Sequence, residues 1–150
     1  ELESRTIDFF QPGEMQPERN HRFEGDKSWT GEFRRRKYRE ADRGGWFSFR
    51  MKAPGDQPLL LGVEYWGGYQ GAKTFDILVN DRVMASENIS SARPGEFYVK
   101  EYSLPADLKI TGNSVTVKFV PREGHRAGPV FGIRMLKEKD AAMGSDLPMN

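Results

Sequence analysis

From Gly44 to Val79 the chain alternates large apolar side chains with polar ones, and that alternation admits few folds. Phe47, Phe49 and Met51 fall on one face of an extended segment. Leu59, Leu61, Val63 and Tyr65 share a face of the next, and Phe75, Ile77 and Val79 a face of the third. Successive side chains of a strand point to opposite faces, so a period of two marks strands buried on one side. The same pattern returns at Val115, Val117 and Phe119, and again at Phe131, Ile133 and Met135. Between them Phe97, Val99 and Glu101 alternate with Tyr98, Lys100 and Tyr102. About eight or nine short strands, parted by Gly, Pro, Asn and Asp turns, predict an all-β antiparallel β-sandwich. Closure as a jelly roll is preferred, because it leaves few long exposed edges.

The 150 residues fit one domain, expected over 1–136. Residues 5–43 read as a first strand (RTIDFF) followed by a Pro- and Gly-punctuated, ordered crossover with little periodicity. Residues 44–136 carry the main strands, with Asn80-Asp81 as a tight turn. Residues 137–150 lose the apolar pattern and read as a flexible tail. No helix of useful length and no internal repeat is expected.

Composition narrows the function classes. The 23 basic and 22 acidic side chains leave a net charge of +1, so no overall field draws in nucleic acid or an anionic membrane. The basic run EFRRRKYRE (Glu32 to Glu40) is closed by acids at both ends and reads as a solvated strand with salt-bridge partners. Cysteine is absent, which removes thiolate nucleophiles, cysteine zinc sites and disulfides. No run approaches the roughly 18 apolar residues of a membrane helix. The chain opens on Glu1 without a signal peptide, as a mature or excised segment would.

Little in the residues points to catalysis. Glu64 and Asp76 fall on the non-core faces of strands that would be neighbours if the two form a hairpin, and could then act as a carboxylate pair. Retaining glycosidases hold such groups roughly 5 Å apart across an open cleft. Ion pairing with Lys73 or Lys118 is the competing reading. No GxSxG elbow is present, and His21 and His125 lack an evident serine or further metal ligands. His21 reads instead as a polar tie for the crossover. A structural calcium held by carbonyls and a carboxylate stays open, and no other cofactor is implied.

Sugar recognition fits the loops better. A sugar ring offers an apolar C–H face to an aromatic ring and hydroxyls to charged or amide groups. Trp66 and Tyr69 in the WGGYQG loop, with Glu64 beside them, form one candidate site. Arg122, His125 and Arg126 in PREGHRAG, joined by Arg93 from SSARPGE, form the alternative. If the strand at Val115 runs antiparallel to that at Leu59, the two groups lie at opposite ends and are exclusive alternatives. Trp66 can equally cover a sheet edge or meet a neighbouring domain, and Trp46, beside two glycines at a strand start, reads as packed.

The order PGEMQPERNH, SWTGEF, KYREADRGGWFSFRMK, PLLLGVEYWG, FDILVND, VTVKF and GPVFGIRML resembles the carboxy-terminal sandwich of a bacterial glycoside hydrolase group. That group includes β-L-arabinofuranosidases and was long a domain of unknown function; the likeness runs from about Thr6 to Leu136. The last two motifs are also similar to closing strands of galactose-binding-like carbohydrate modules. The resemblance implies a sandwich attached to a catalytic domain of the same polypeptide in periplasmic or extracellular glycan degradation, and it does not fix the sandwich's own ligand. The leading expectation is a non-catalytic support for that domain that also contacts plant-type glycan. The group's catalytic glutamate and zinc-held cysteine belong to a helical toroid, so none of those residues carries over.

Overall fold

The structure is a computed structural model and describes residues 1–139. Within them a helical turn α1 (Leu2–Arg5) leads into β1 (Thr6–Phe10), and α2 (Met15–Asn20) precedes β2 (Glu24–Phe33). There follow β3 (Arg36–Lys52), β4 (Leu59–Trp66), β5 (Thr74–Val79) and β6 (Arg82–Asn88). The last elements are β7 (Phe97–Ser103), β8 (Ser114–Pro121), β9 (Ala127–Val130) and β10 (Gly132–Lys137). One sheet has the order β1-β10-β4-β7, the other β2-β3-β8-β5-β6, with β9 added to β3. All pairings are antiparallel, and the chain is the all-β sandwich its periodicity implies.

The alternating residues make the core. Of the apolar faces on β3, β4, β5, β8 and the stretch from Phe131 to Met135, no member is more than 3% exposed. Rings bridge the two sheets: Phe10 of β1 meets Phe49 of β3 at 4.6 Å, and Tyr65 of β4 meets Phe75 of β5 at 6.1 Å. On β7 the inward set is Tyr98 and Tyr102, and the Tyr102 hydroxyl shares a 2.9 Å hydrogen bond with that of Tyr65. Asn80 and Asp81 turn β5 into β6 with φ of 49° and 66°, the left-handed pair a two-residue hairpin needs.

Residues 11–43 differ from the expected aperiodic crossover. They hold a second helix and a ten-residue strand, and β3 begins at Arg36 rather than near Gly44. β2 lies at the sheet edge with no buried residue, so it has no apolar face to reveal it. Its partner run does carry ion pairs: Lys37 with Glu14 at 3.1 Å and Arg39 with Glu18 at 3.0 Å. Trp46 is half-buried on the outer face, with the Lys118 ammonium 4.5 Å above its ring. At the other terminus β10 extends to Lys137, while residues 140–150 of the expected tail lie outside the described residues.

His21 ties α2 across the open edge between the sheets. Its Nδ1 lies 2.8 Å from the Pro17 carbonyl and its Nε2 3.0 Å from an Asp8 carboxylate oxygen. Both ring nitrogens face acceptors, which calls for the doubly protonated imidazolium. The Asp8 hydrogen bond raises the His21 pKa, burial works against it, and the Pro17 carbonyl adds to the rise. Burial alone would raise the Asp8 carboxyl, but the bonds from His21 and the Lys52 backbone N–H bring it below the usual value.

The signs fix a pH window. A raised histidine contributes stability fully below its ordinary pKa of 6.5, lost as pH climbs through the folded value. A lowered carboxylate contributes above its ordinary 3.8, and that is lost as pH falls through the folded value. The clasp is therefore strongest between about pH 4 and 6.5. We expect His21→Gln to lower the melting temperature most in that window, with the gap from the unmodified protein closing towards pH 9. A gap independent of pH in thermal denaturation scans would contradict the imidazolium clasp.

Candidate functional site

Four segments meet at one end of the sandwich. The loop after β8 packs along the start of β5: Arg122 N–H donates to the Thr74 carbonyl and Arg126 N–H to that of Ala72, both at 3.0 Å. The loop before β7 packs on WGGYQG, with Arg93 N–H to the Gly67 carbonyl at 3.1 Å and Gly67 N–H to the Glu96 carbonyl at 2.9 Å. From the far side Phe33, at the tip of the β2–β3 hairpin, reaches Trp66 at 5.2 Å and Tyr69 at 6.0 Å. The two candidate loop groups therefore share one end, which corrects the expectation of opposite ends. The cause is the β4–β5 connection, an arch between sheets that delivers WGGYQG to the end where β8 finishes.

The paired glycines of WGGYQG serve close approach. A Cβ on Gly67 would lie 2.6 Å from the Arg93 backbone nitrogen and clash with its carbonyl, and one on Gly68 would lie 2.6 Å from the Trp66 indole nitrogen. Both distances are well inside van der Waals contact. Neither residue has a positive φ; in this loop only Gly71 does, at 101°.

Trp66 is the centre of an enclosed aromatic cluster. It follows the core residue Tyr65, so it points to the outer face of its sheet, yet it is only 7% exposed. Phe97 contacts it edge-on at 4.8 Å, and the Arg34 guanidinium lies 4.5 Å over its ring. Arg34 and Arg35 form the hairpin tip with φ of 53° and 66°. Left-handed backbone costs such residues roughly 1–2 kcal/mol each. The stacking of Arg34 offsets part of that, about 0.5–1 kcal/mol.

Tyr69 is half-buried, and burial pushes its phenol up to about 12. The Lys73 ammonium lies 4.9 Å from its ring centre and pairs with the buried Glu40 at 2.7 Å. Phe33, Arg34, Phe97 and the Lys73–Glu40 pair belong to this end and escape a reading of the sequence. Their gathering depends on the β2–β3 hairpin, whose outer strand β2 has no buried face to mark it.

The remaining candidates have structural partners. Glu64 pairs with Arg36, whose guanidinium also lies 4.8 Å over Phe97. Arg122 bonds Asp76 at 2.8 Å, and its other nitrogen donates to Ser86. His125 Nδ1 accepts the Thr74 N–H at 3.0 Å, and Arg126 pairs with Asp42 at 3.1 Å. Arg93 stacks 5.2 Å over Tyr98 and is exposed. Glu64 and Asp76 stand in different sheets, each held by its own arginine, so the expected hairpin pair is not formed, and Lys73 and Lys118 are not their partners. Among the described residues, no three His, Asp or Glu side chains gather as metal ligands.

This end thus presents an aromatic floor roofed by arginines, and its shape depends on Gly67. Gly67→Ala should cost about 1–3 kcal/mol of stability by forcing the two loops apart. Hydrogen exchange would then show faster exchange at the Gly67 and Arg93 amides, with protection in β8 unchanged. An alanine variant as stable as the parent would remove the close-approach argument.

Three solved structures show where the architecture recurs. A family 35 carbohydrate binding module from Clostridium thermocellum matches with a TM-score of 0.64 at 11% identity, covering 86% of this chain and 96% of its own. A family 35 module from an environmental isolate gives 0.64 at 12%, covering 87% and 93%. An exo-beta-1,3-galactanase from Phanerochaete chrysosporium, solved with beta-1,3-galactotriose, gives 0.61 at 11%, with 85% of this chain on 28% of that enzyme. At such identities the likeness establishes the fold, a jelly roll of the galactose-binding type. A comparison with curated protein sequences finds no match. One family profile aligns with residues 1–136, and the chain belongs to that group, the Family of unknown function (DUF6805).

Proposed function

We propose that this chain is a non-catalytic, carbohydrate-binding accessory β-sandwich. The observation that carries the reading is the extent of the shared scaffold. The match takes in 86% of this chain and 96% of a family 35 carbohydrate binding module, so most of the chain goes into building that scaffold. The absence of a Glu64–Asp76 pair agrees with a binding role. The binding end is the loop cluster, where Arg34 and Arg93 are exposed beside the half-buried Tyr69. Arginines stacked on rings offer fixed donors to sugar hydroxyls, and the edge of Tyr69 offers apolar contact. The finer assignment is to a periplasmic or extracellular bacterial glycoside hydrolase of the β-L-arabinofuranosidase kind, acting on plant-type glycan. It rests on the motif order in the sequence.

A second reading is favoured by the burial of Trp66. A tryptophan at 7% exposure under Arg34 offers no free face to a sugar. On that reading the aromatic cluster only braces the hairpin, and the domain is a structural contact for the catalytic domain.

Electrophoresis through gels containing arabinan, galactan or arabinogalactan separates the two. The binding reading expects retardation in at least one gel, lost in Arg34→Ala and kept in Glu64→Gln. Migration unaffected by all three polymers would reject it. Arg35→Gly supplies a companion measurement, since glycine suits the left-handed tip. It should raise stability by up to about 1 kcal/mol.

A further inference from the structure

We propose that a second cleft, far from the loop cluster, binds a compact oxyanion: the carboxylate of an acidic sugar, or inorganic phosphate or sulfate. The cleft has a volume of about 350 Å³ and lies where β1, the corner after α2 and the end of β3 meet. Arg22, Arg50 and Lys52 line it, and all three are exposed.

Among the described residues, the basic side chains Arg22, Arg50 and Lys52 are all without a carboxylate partner within ion-pair distance. The loop cluster is mixed. There Arg36, Lys73, Arg122 and Arg126 each have a carboxylate partner, whereas Arg34, Arg35 and Arg93 stand in no ion pair among the described residues. The one acid in the lining is Asp8, and its two oxygens are already engaged, by His21 and by the Lys52 backbone N–H. Three like charges around one concavity repel each other, and an anion among them relieves that repulsion.

The hydrogen-bonding inventory agrees. Asn20 lines the cleft, and its carbonyl oxygen accepts from Gln16, which leaves its NH₂ as the group on offer. The Ser114 hydroxyl, opposite Lys52 in the β3–β8 ladder, adds a further donor. Apart from the Ser114 hydroxyl, which can serve either way, the unspent polar groups are donors, a lining that suits a ligand made of acceptors.

Backbone geometry supplies an independent pointer. Phe23 N–H donates to the Glu18 carbonyl at 2.9 Å and Arg22 N–H to that of Arg19 at 3.1 Å, closing α2 as a Schellman motif. Its left-handed position, φ 52°, belongs to Arg22, where glycine is usual. Strained backbone of this kind clusters at functional sites, and Arg22 places one such residue at the cleft wall. Arg50 N–H, bonded to the His21 carbonyl, fixes β3 against the same corner.

The test is an NMR titration of the whole chain at low ionic strength with sodium sulfate, sodium phosphate, galacturonate and neutral galactose. Saturable shifts are expected at the Arg22, Arg50, Lys52 and Ser114 amides with the anions and not with galactose. Tighter galacturonate identifies a sugar acid as the ligand; tighter phosphate or sulfate identifies the free ion. Arg50→Ala and Lys52→Ala should each weaken binding by about tenfold. Arg22→Gly should do the same while relaxing the backbone, so a folding defect does not confuse the result. Arg34→Ala, at the loop cluster, should leave anion binding unchanged. No saturable shift with any anion, equal response to galactose, or binding that survives the three substitutions would each overturn the proposal.

Discussion

Rings packed between the two sheets hold this molecule together, and the loops inherit their positions from them. Phe47 stacks on Phe119 at 5.0 Å within one sheet, while Phe10 and Tyr65 reach across from the other to Phe49 and Phe75. Each large aromatic removes about 150–250 Å² from water, and truncating one in a packed core costs about 3–5 kcal/mol. Against a typical net stability of about 5–15 kcal/mol, a single ring decides whether the sheets stay in register. With the sheets fixed, the ends of β4, β8 and the β2–β3 hairpin meet at one end.

That end is a packed assembly of loops. Backbone hydrogen bonds join the Gly67 and Arg93 segments, and others join the Arg122–Arg126 loop to the start of β5. Trp66 acts as the hub that Phe33, Phe97 and Arg34 enclose. A ligand meeting this surface therefore encounters groups already oriented, chiefly the exposed arginines and the edge of Tyr69. The fold is shared with carbohydrate binding modules, but fold alone does not assign a ligand. The side chains at the end of the sandwich have to carry that assignment.

The sequence made the central strands legible because each has one buried face, and period two reports nothing else. β2 lacks such a face, and its ladder partner covers only one edge, so EGDKSWTGEF reads as loop. The hairpin after it turns on Arg34 and Arg35, residues that signal no turn because side chains larger than asparagine rarely take left-handed backbone. The candidate loops stand out in the sequence, but their meeting does not. It depends on which sheet each strand joins, and consecutive strands β4 and β5 join different ones. The same switch separates Glu64 from Asp76. Gly67 and Gly68 of WGGYQG provide room for Arg93 and the Trp66 indole, a packing role that the sequence does not signal.

The central proposal is that glycan binds at the loop cluster. Mapping amide chemical shifts during titration with arabino- and galacto-oligosaccharides tests it directly. The account predicts shifts concentrated at Arg34, Tyr69 and Arg93, with the strands of both sheets unmoved. Shifts confined to the outer sheet faces, or none at millimolar sugar, would contradict it.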